Sequence, residues 1–380
     1  MFKKLLKSVL PAALLTQLNL RYNKWRIGTL DKLLFPERIF SQEEFVTRRD
    51  DYPFANVTVK TESFESRLQQ QIAIWQNWTQ DEYLLVYKEE CVIEPRAGWA
   101  LSADNKLIYP SLGFSRVDYL RKPALQILWI RGQLMEEYAE LVSLRDTGEE
   151  NYYHFYNDVL PKLFFLEEKL GLNSAIPILI SEALYKRPVF QYFLQHPYLK
   201  KRSWVVQAKQ YVRSQKTYFC KPLTHTCRYY ERIRELVQPQ DLLYQGSERR
   251  IFITRNPKRL RFIENTQEVE VVCHQFGFEV VDFDLLDLSA QIRLLVNSRY
   301  VIGIHGAGLT NMLFRGPRNM SLLEIYPPGE YYPFHYVLMA NQLGYSYDGI
   351  IGVSGKHIYS GSFHVDIKEL RNRIVNLLQS

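Results

Sequence analysis

The stretch Val301–Asn311 reads VIGIHGAGLTN, an apolar run that leads directly into a turn rich in glycine. The run predicts a buried strand over residues 300–304, and the residues after the turn predict a helix over 309–314. In an open parallel sheet, ligands bind beyond the carboxyl ends of the strands, where a helix N-terminus offers free N–H groups. The turn His305–Gly308 therefore indicates either a phosphate site suited to a diphosphate, or a tight turn that needs glycine only for its backbone.

Strand and helix patterns alternate on both sides of this stretch. In the C-terminal half, strands are predicted over 250–254, 278–281, 300–304 and 321–325, and helices over 265–276, 288–298 and 309–314. In the N-terminal half, strand patterns cover 83–87, 125–130, 176–180 and 204–207, and helical patterns cover 153–170 and 185–196. Alternation at this spacing is typical of parallel sheets covered by helices, so the predicted fold class is α/β, and the C-terminal series is Rossmann-like.

The length of 380 residues is sufficient for two domains. The polar, turn-rich sequence around Gln238–Arg250 is typical of a linker and sets the predicted domain boundary near residue 240. We predict an N-terminal segment over 1–30, a first domain over 31–240, a second domain over 241–365, and a last helix over 366–380 that could cross back to the first domain.

The N-terminal segment is basic and amphipathic. Residues 1–26 contain six Lys and Arg residues and no acidic residue, and apolar residues recur among them at helical spacing. The pattern fits a helix lying in an anionic membrane surface as well as an ordinary first helix that packs on its own protein. A signal peptide fits poorly because Lys7 interrupts the apolar run, and no apolar stretch is long enough for a transmembrane helix.

The overall charge favours anionic partners. Lys and Arg exceed Asp and Glu by 48 − 41 = 7, which suits nucleotide diphosphates, phospholipid surfaces or nucleic acid. Nucleic acid ranks last because the sequence contains no recognisable nucleic-acid-binding module. The four cysteines include a cluster of Cys220, His225 and Cys227 that lacks the paired spacing of a structural zinc site, so reduced thiols in a cytoplasmic protein are expected.

Charged residues follow the predicted strands of the second half. Arg255 comes directly after the strand RIFIT, so its guanidinium is expected at the same sheet edge as the glycine turn, where it could bind a diphosphate. Arg259 is more typical of a solvated basic loop. Glu324 ends the next strand and could accept a hydrogen bond from a ribose hydroxyl, which leaves a nucleotide-dependent oxidoreductase open as an alternative. The turn itself lacks the GxGxxG spacing of dinucleotide-binding enzymes.

A histidine and a carboxylate share a helix face in the first half. His154 and Asp158 lie four residues apart in the segment NYYHFYNDVLP, so on a helix they are neighbours. Such a pair can act as a general base, one residue orienting the other. The alternatives are a surface pair or a structural histidine.

Together, these segments resemble glycosyltransferase family 61. The resemblance rests on an ordered set of motifs between about residues 145 and 330: His154, Asp158 and Pro161, then Arg255, then Arg261 and Asn265 in RFIEN, then Gln291, then HGAGLTN with His305, Gly306, Ala307, Gly308 and Asn311, and then Glu324. Residues 1–140 carry no part of it.

The resemblance implies a GT-B fold, with two Rossmann-like domains facing a central cleft. It also implies a UDP-sugar donor bound by the C-terminal domain, an acceptor bound by the N-terminal domain, and inversion at the anomeric carbon without a metal or other cofactor. Asp158 is then the expected base, with His154 orienting it or touching the donor. Arg255, Arg261 and the 305–308 turn are expected to offset the charge of the leaving diphosphate, and Asn311 and Glu324 to complete the nucleotide-sugar site.

The expected role is polysaccharide or capsule biosynthesis, with a glycan or lipid-linked glycan as acceptor. The expected location is the cytoplasm, with peripheral contact to the membrane. One motif points the other way, because Asp282 and Asp284 form a D-x-D, the metal-binding signature of the other large glycosyltransferase fold. These aspartates also precede a predicted helix, where the helix dipole favours acidic residues. A non-catalytic membrane-surface assembly protein with the same fold is the remaining alternative.

Overall fold

The computed structural model describes most of the chain after residue 78. The described residues are 38–39, 48–51, 68, 79–103, 107–112, 135–171, 175–257, 260–329, 332–355 and 361–379. The predicted basic segment over 1–30 and the predicted strand over 125–130 lie outside them. Among the helices that are described, none has the length and apolar character needed to cross a membrane.

The chain forms two compact units. Unit 1 comprises Met1–Arg48 and Asp81–Leu223, and unit 2 comprises Arg49–Gln80 and Thr224–Ser380. The division after Leu223 falls ahead of the boundary predicted near residue 240.

The strands and helices are numbered in chain order. The strands are β1 Arg38–Ile39, β2 Arg48–Asp51, β3 Thr79–Tyr87, β4 Cys91–Ile93, β5 Ala100–Ser102, β6 Leu107–Ile108, β7 Met135–Tyr138, β8 Leu141–Ser143, β9 Ile178–Ser181, β10 Trp204–Gln207, β11 Tyr211–Ser214, β12 Thr217–Lys221, β13 Arg249–Thr254, β14 Glu279–Asp282, β15 Ser298–Ile304, β16 Ser321–Tyr326, β17 Ser346–Ile351, β18 Val353–Ser354 and β19 Phe363–His364. The α-helices are α1 Tyr152–His154, α2 Leu160–Leu170, α3 Glu182–Tyr185, α4 Pro188–Leu194, α5 Pro197–Lys200, α6 Cys227–Glu235, α7 Thr266–Gln275, α8 Leu288–Val296, α9 His335–Leu343 and α10 Ile367–Gln379. A π-helical turn covers Phe155–Val159, and 3₁₀ helices cover Tyr109–Leu112, Pro239–Leu242, Phe283–Leu285 and Ala307–Arg315.

Unit 2 is built on a five-stranded sheet with the order β14-β13-β15-β16-β17. Every pairing in it is parallel. Counted from β13, the strand order is 2-1-3-4-5, so the direction of winding reverses between β13 and β15. In open sheets of this kind the ligand crevice lies beyond the carboxyl ends of the strands at that reversal. The residues that follow β13 and β15 are therefore at the expected ligand site of unit 2.

Helices cover both faces of this sheet. On one face, α7 and α10 pack their apolar residues against those of the strands, in a core that includes Phe252, Val269, Val272, Ile302, Leu323, Ile350, Leu370 and Ile374. Because side chains alternate along a strand, Gly303 faces the other side from Ile302, and there a Cβ atom would overlap Leu309 of the 3₁₀ helix. The sheet is thus sandwiched between helices, and α10 packs within unit 2.

Unit 1 contains two sheets that share a core. One has the order β1-β6-β5-β4-β11-β7, and in the other β10, β9, β8, β12 and β3 are neighbours in that order. In the second sheet the pairings from β10 to β12 are parallel, while β12 and β3 are antiparallel. Buried residues from both sheets meet in one cluster, among them Leu85, Ile93, Leu141, Leu179, Val212 and Phe219. Unit 1 therefore has more sheet structure than its predicted strands suggest.

The predicted α/β class is confirmed. The predicted strand RIFIT is β13, the strand over 204–207 is β10, and the helix over 288–298 is α8. Two elements differ in kind from the prediction: the helix over 153–170 contains a π-helical turn, and the helix after the glycine turn is a 3₁₀ helix.

Candidate active site

His154 and Asp158 lie in direct contact. The Nδ1 atom of His154 is 2.6 Å from Oδ2 of Asp158, and the side chains are 23% and 12% exposed. The histidine is thus the more accessible member of the pair. The segment begins at Asn151, whose side-chain oxygen accepts the N–H of Tyr153 and caps the helix. The predicted pairing across one helical turn is therefore present.

Pro161 gives the helix its π-helical turn around Asp158. Proline has no N–H, so the carbonyl of Asn157 cannot receive the usual helical hydrogen bond from position 161. The chain widens instead, and the N–H of Leu160 donates to the carbonyl of Phe155. Single π-turns of this type are frequent at functional sites because they turn side chains away from their ordinary helical directions.

The surroundings of His154 favour its charged form. Burial would lower the pKa of His154, but the hydrogen bond and the negative charge of Asp158, with further contributions from Asp146 and Glu150, raise it above its ordinary value. The pair can therefore exist as an imidazolium and a carboxylate, in which His154 donates its Nδ1–H and Asp158 accepts.

A buried ion pair supports the helix behind Asp158. The ammonium group of Lys162 is 2.8 Å from Oδ2 of Asp146 and donates to the carbonyl of Arg145 at 3.0 Å. Burial would lower the pKa of Lys162, but the charge of Asp146, with smaller contributions from Cys220 and Asp158, raises it. These contacts tie α2 to the loop that leads into α1, and so fix the helix that carries Asp158.

Arg255 follows β13 and reaches the turn that follows β15. Its Nη2 donates to the carbonyl of His305 at 3.2 Å, and its Nη1 donates to the carbonyl of Leu260 at 3.0 Å. The guanidinium therefore lies at the reversal of the sheet, beside the glycine turn, as its position after RIFIT predicted.

The glycines of the turn make room for these neighbours. A Cβ atom at Gly306 would overlap Nη2 of Arg255 and lie 3.2 Å from its Cζ, and a Cβ atom at Gly308 would lie 3.2 Å from Cδ2 of Phe283. The backbone of Gly306 is extended, with φ of 168°, so its missing side chain serves the close approach of Arg255 rather than an unusual backbone angle.

His305 and Glu324 form a second histidine–carboxylate pair. Nδ1 of His305 is 2.5 Å from Oε1 of Glu324, which is fully buried on the neighbouring strand. The other carboxylate oxygen of Glu324 accepts from the hydroxyls of Tyr326 and Tyr347. Glu324 therefore faces His305 and two tyrosines, and not the open strand end at which a ribose contact was predicted.

The tyrosines around this pair are the functional candidates that sequence reasoning missed. Burial, followed by the negative charge of Glu324, raises the pKa of Tyr347 well above its ordinary value, so its hydroxyl stays a donor. Tyr336 donates to the carbonyl of Gly306 at 2.7 Å, so it also fixes the position of the turn that Arg255 contacts. Tyr347 and Tyr336 lie 23 and 30 residues from these partners, and the abundance of tyrosine in the chain was the only available signal.

Arg261 and Asn311 have different surroundings. Arg261 has φ of +62°, a left-handed conformation that is uncommon for a residue with a side chain and occurs often at functional sites. The side chain of Asn311 donates to Oε1 of Gln291 at 2.9 Å, and the amide nitrogen of Gln291 donates to the carbonyls of Phe283 and Leu286. Asn311 and Gln291 thus connect the 3₁₀ helix after β15 to the loop after β14.

The described residues offer no metal centre. In the described part of the chain, no three His, Cys, Asp or Glu side chains are grouped so that they could hold a metal ion. Asp282 of the D-x-D uses its carboxylate to accept the N–H of Asp284, as a helix cap does. The four cysteines, all of them described, are free thiols.

Comparison with known proteins shows which family this part of the chain matches. Residues 152–322 match the family model described as glycosyltransferase 61. This segment belongs to glycosyltransferase family 61. The resemblance predicted from the motifs is therefore confirmed over these residues, and with it the prediction of a glycosyltransferase domain. The glycosyltransferase 61 segment contains His154, Asp158, Arg255 and the glycine turn, and ends within β16 just before Glu324.

A plant protein is similar to part of the chain. The alpha-1,3-arabinosyltransferase XAT2 of Oryza sativa subsp. japonica is 31% identical to it over 105 residues. The match covers 27% of this chain and 18% of the plant protein, so the chain corresponds to a small part of that relative.

Proposed function

We propose that the protein is an inverting glycosyltransferase that takes its sugar from a UDP-sugar. The contact between Arg255 and the backbone of the His305–Gly306 turn carries the proposal. It puts a guanidinium at the reversal of a parallel sheet, where open α/β sheets bind nucleotides, and next to the two glycines of the turn. A diphosphate at this position would meet a fixed cation and the N–H groups at the start of the 3₁₀ helix. The two units would then form a GT-B enzyme.

The His154–Asp158 pair is the proposed base. Asp158 removes the proton of the acceptor hydroxyl while that oxygen forms a bond to C1 of the donor sugar. The bond from C1 to the phosphate oxygen breaks on the opposite face, and UDP leaves with the electron pair. His154, 2.6 Å from Asp158, orients the carboxylate. Asp158 fits the role because its side chain is partly accessible on a helix fixed by the buried Lys162–Asp146 pair.

Departure of UDP requires that the growing negative charge be stabilised. Arg255, the left-handed Arg261 and the 305–308 turn would supply fixed positive charge and N–H donors without a metal ion. Preorganised donors of this kind are effective because they do not have to reorient during the reaction.

The similarity to an arabinosyltransferase favours a pentose as the transferred sugar. The acceptor is a glycan or a lipid-linked glycan in polysaccharide or capsule biosynthesis. The protein would act in the cytoplasm, and its basic N-terminal segment over residues 1–30 would hold it peripherally on an anionic membrane.

A donor panel tests the proposal. Purified protein is incubated with UDP-arabinose, UDP-xylose, UDP-N-acetylglucosamine and UDP-glucose, with and without glycan acceptors, and UDP release is measured. Acceptor-dependent release that is lost in Arg255→Ala supports the proposal. A wild-type protein that neither binds UDP in calorimetry nor releases it with any donor would contradict it.

A further inference from the structure

The ring of His305 is held on three sides. Its Nδ1 contacts Glu324 at 2.5 Å, the ring of Tyr326 stacks on it with centroids 5.2 Å apart, and the ring of Tyr336 meets it edge-on at 5.5 Å. These three contacts define the plane of the ring and place Nδ1 against Glu324. His305 is therefore a preorganised side chain at the strand end, next to the turn contacted by Arg255.

The second ring nitrogen of His305 remains available. Within the described residues, Nε2 has no hydrogen-bond partner, and it is not among the buried polar atoms that lack one. It is therefore accessible from outside the cluster. A ligand bound beyond β15 would find this nitrogen directed by the contacts on the opposite side of the ring.

Glu324 is fully buried, and its carboxyl group is surrounded by hydrogen-bonding neighbours. The groups that contact its carboxylate are His305 and the hydroxyls of Tyr326 and Tyr347, and no Lys or Arg of the described chain forms an ion pair with it. An ionised carboxylate can only accept a hydrogen bond, so in this contact Nδ1 of His305 carries the hydrogen and Nε2 faces away from Glu324. A phosphate oxygen beyond Nε2 is also an acceptor, so a contact with it requires Nε2–H.

On the basis of the proposed function, we infer that Glu324 is a positioning residue which directs Nε2–H of His305 at the diphosphate of the nucleotide. The imidazolium then lies between two anions, the buried carboxylate and a phosphate oxygen, and joins Arg255 in offsetting the charge of the leaving group. The inference assigns Glu324 to the phosphate end of the donor, acting through His305, in place of a direct contact with the ribose.

The tautomer of His305 tests the first half of this inference without any ligand. Long-range ¹H–¹⁵N spectra of histidine-labelled protein report which ring nitrogen carries a proton, and His305→Gln identifies the signal by its loss. We expect a protonated Nδ1 in the wild type and a changed pattern in Glu324→Gln, because a carboxamide can also donate to the ring. A wild-type ring with a bare Nδ1, or a ring whose Nε2 stays bare when UDP is bound, would overturn the inference.

Comparison of UDP with uridine tests the second half. In Glu324→Gln, we expect UDP affinity to fall about tenfold or more, as for the loss of a charge-assisted hydrogen bond, and uridine affinity to stay unchanged. Uridine carries the ribose but no phosphate, so an equal loss for both ligands would instead support a direct ribose contact and overturn the inference.

A matched control separates this effect from general destabilisation. Asp348→Asn removes another buried carboxylate from the same sheet, but its side chain lies on the opposite face, where it pairs with Arg373 at 3.1 Å. It should leave UDP affinity unchanged, and an equal loss of UDP affinity there would contradict a specific role of Glu324. If the wild type binds neither UDP nor uridine while the tautomer is as expected, the proposed function fails and the pairing of Glu324 with His305 stands.

Discussion

The side chain of Arg255 occupies the space that a Cβ atom on Gly306 would need. Nη2 of Arg255 donates to the carbonyl of the preceding His305, and an added methyl group at 306 would overlap that nitrogen. The two residues belong to loops that follow different strands, β13 and β15. Position 306 therefore requires glycine because the side chain of Arg255 lies against it, and not because of its own backbone angle. This close contact joins the two loops at the ligand site proposed for unit 2.

The first prediction concerns Gly306→Ala. Because the backbone at 306 is extended, alanine fits there if the flexible end of Arg255 moves away, so the free energy of unfolding should change little. UDP affinity should fall as far as in Arg255→Ala, by about 1.5–3 kcal/mol, since in both variants the guanidinium leaves the site. Isothermal titration calorimetry of the single variants and of the double variant measures both effects.

The double variant makes this prediction specific. If Gly306→Ala acts only through Arg255, adding it to Arg255→Ala should cause no further loss of UDP affinity. Gly308→Ala is the comparison, because its Cβ atom meets Phe283 and not Arg255, so its effect should add to that of Arg255→Ala. Additive losses for Gly306→Ala would mean that the methyl group blocks the ligand directly.

The second prediction is that turnover survives removal of divalent cations. Arg255 and the N–H groups of the turn supply positive charge, while Asp282 uses its carboxylate to cap the next 3₁₀ helix. Activity in EDTA should equal that in buffer, and the double variant Asp282→Asn, Asp284→Asn should keep near-normal turnover. Loss of activity in EDTA that manganese restores would make these aspartates metal ligands and contradict the metal-free mechanism.

The third prediction concerns stability and pH. The pKa of His154 is raised in the folded protein, so its contribution to stability is fully present below the unfolded value of about 6.5 and is lost as the pH rises through the folded pKa. His154→Gln should therefore destabilise the protein most at acidic pH and least at alkaline pH. Urea unfolding of wild type and variant across this range measures the difference, with the exposed His274→Gln as a control. A difference that is constant with pH would show that the pKa of His154 is the same in the folded and the unfolded protein.

The sequence predicted elements best where the pattern was local. The strand RIFIT and the helix α8 lie close to their predicted positions. The spacing of apolar residues and the helix-capping residues that predict such elements are found in consecutive residues. The π-helical turn was missed because the pattern over 153–170 was interpreted as one continuous helix. Pro161, which removes a backbone donor inside that pattern, was the available signal for it.

The site was predictable as a set of residues but not as a set of contacts. The position of Arg255 after a strand correctly predicted that it would lie beside the glycine turn, since the ends of parallel strands meet at one edge. The partners of Glu324 were not predictable. Its carboxylate accepts from the hydroxyls of Tyr326 and Tyr347, and Tyr347 lies one strand further along the sheet. Contacts of that kind depend on tertiary packing, which no local pattern reports.

The fourth prediction concerns the base. Asp158→Asn keeps the size of the side chain and its ability to hydrogen-bond His154, but removes the carboxylate that would accept a proton. Turnover should fall by about 10²–10⁴-fold, the usual contribution of general-base assistance, while UDP affinity stays near that of the wild type. Steady-state UDP release and calorimetry measure the two quantities separately. Glu168→Gln, the same chemical change at an exposed position on the same helix, should leave both unchanged.

The comparison of Asp158→Asn with His154→Ala decides which member of the pair takes the proton. If Asp158 is the base and His154 orients it, Asp158→Asn should lose the most activity, and the double variant should be no worse than Asp158→Asn alone. His154 is the more exposed of the two, so the opposite order is the physically reasonable competitor. Near-normal turnover in Asp158→Asn with an inactive His154→Ala would make His154 the base and Asp158 its orienting partner. Activity in both variants would mean that the pair only stabilises the helix, and the proposed catalytic role would be wrong.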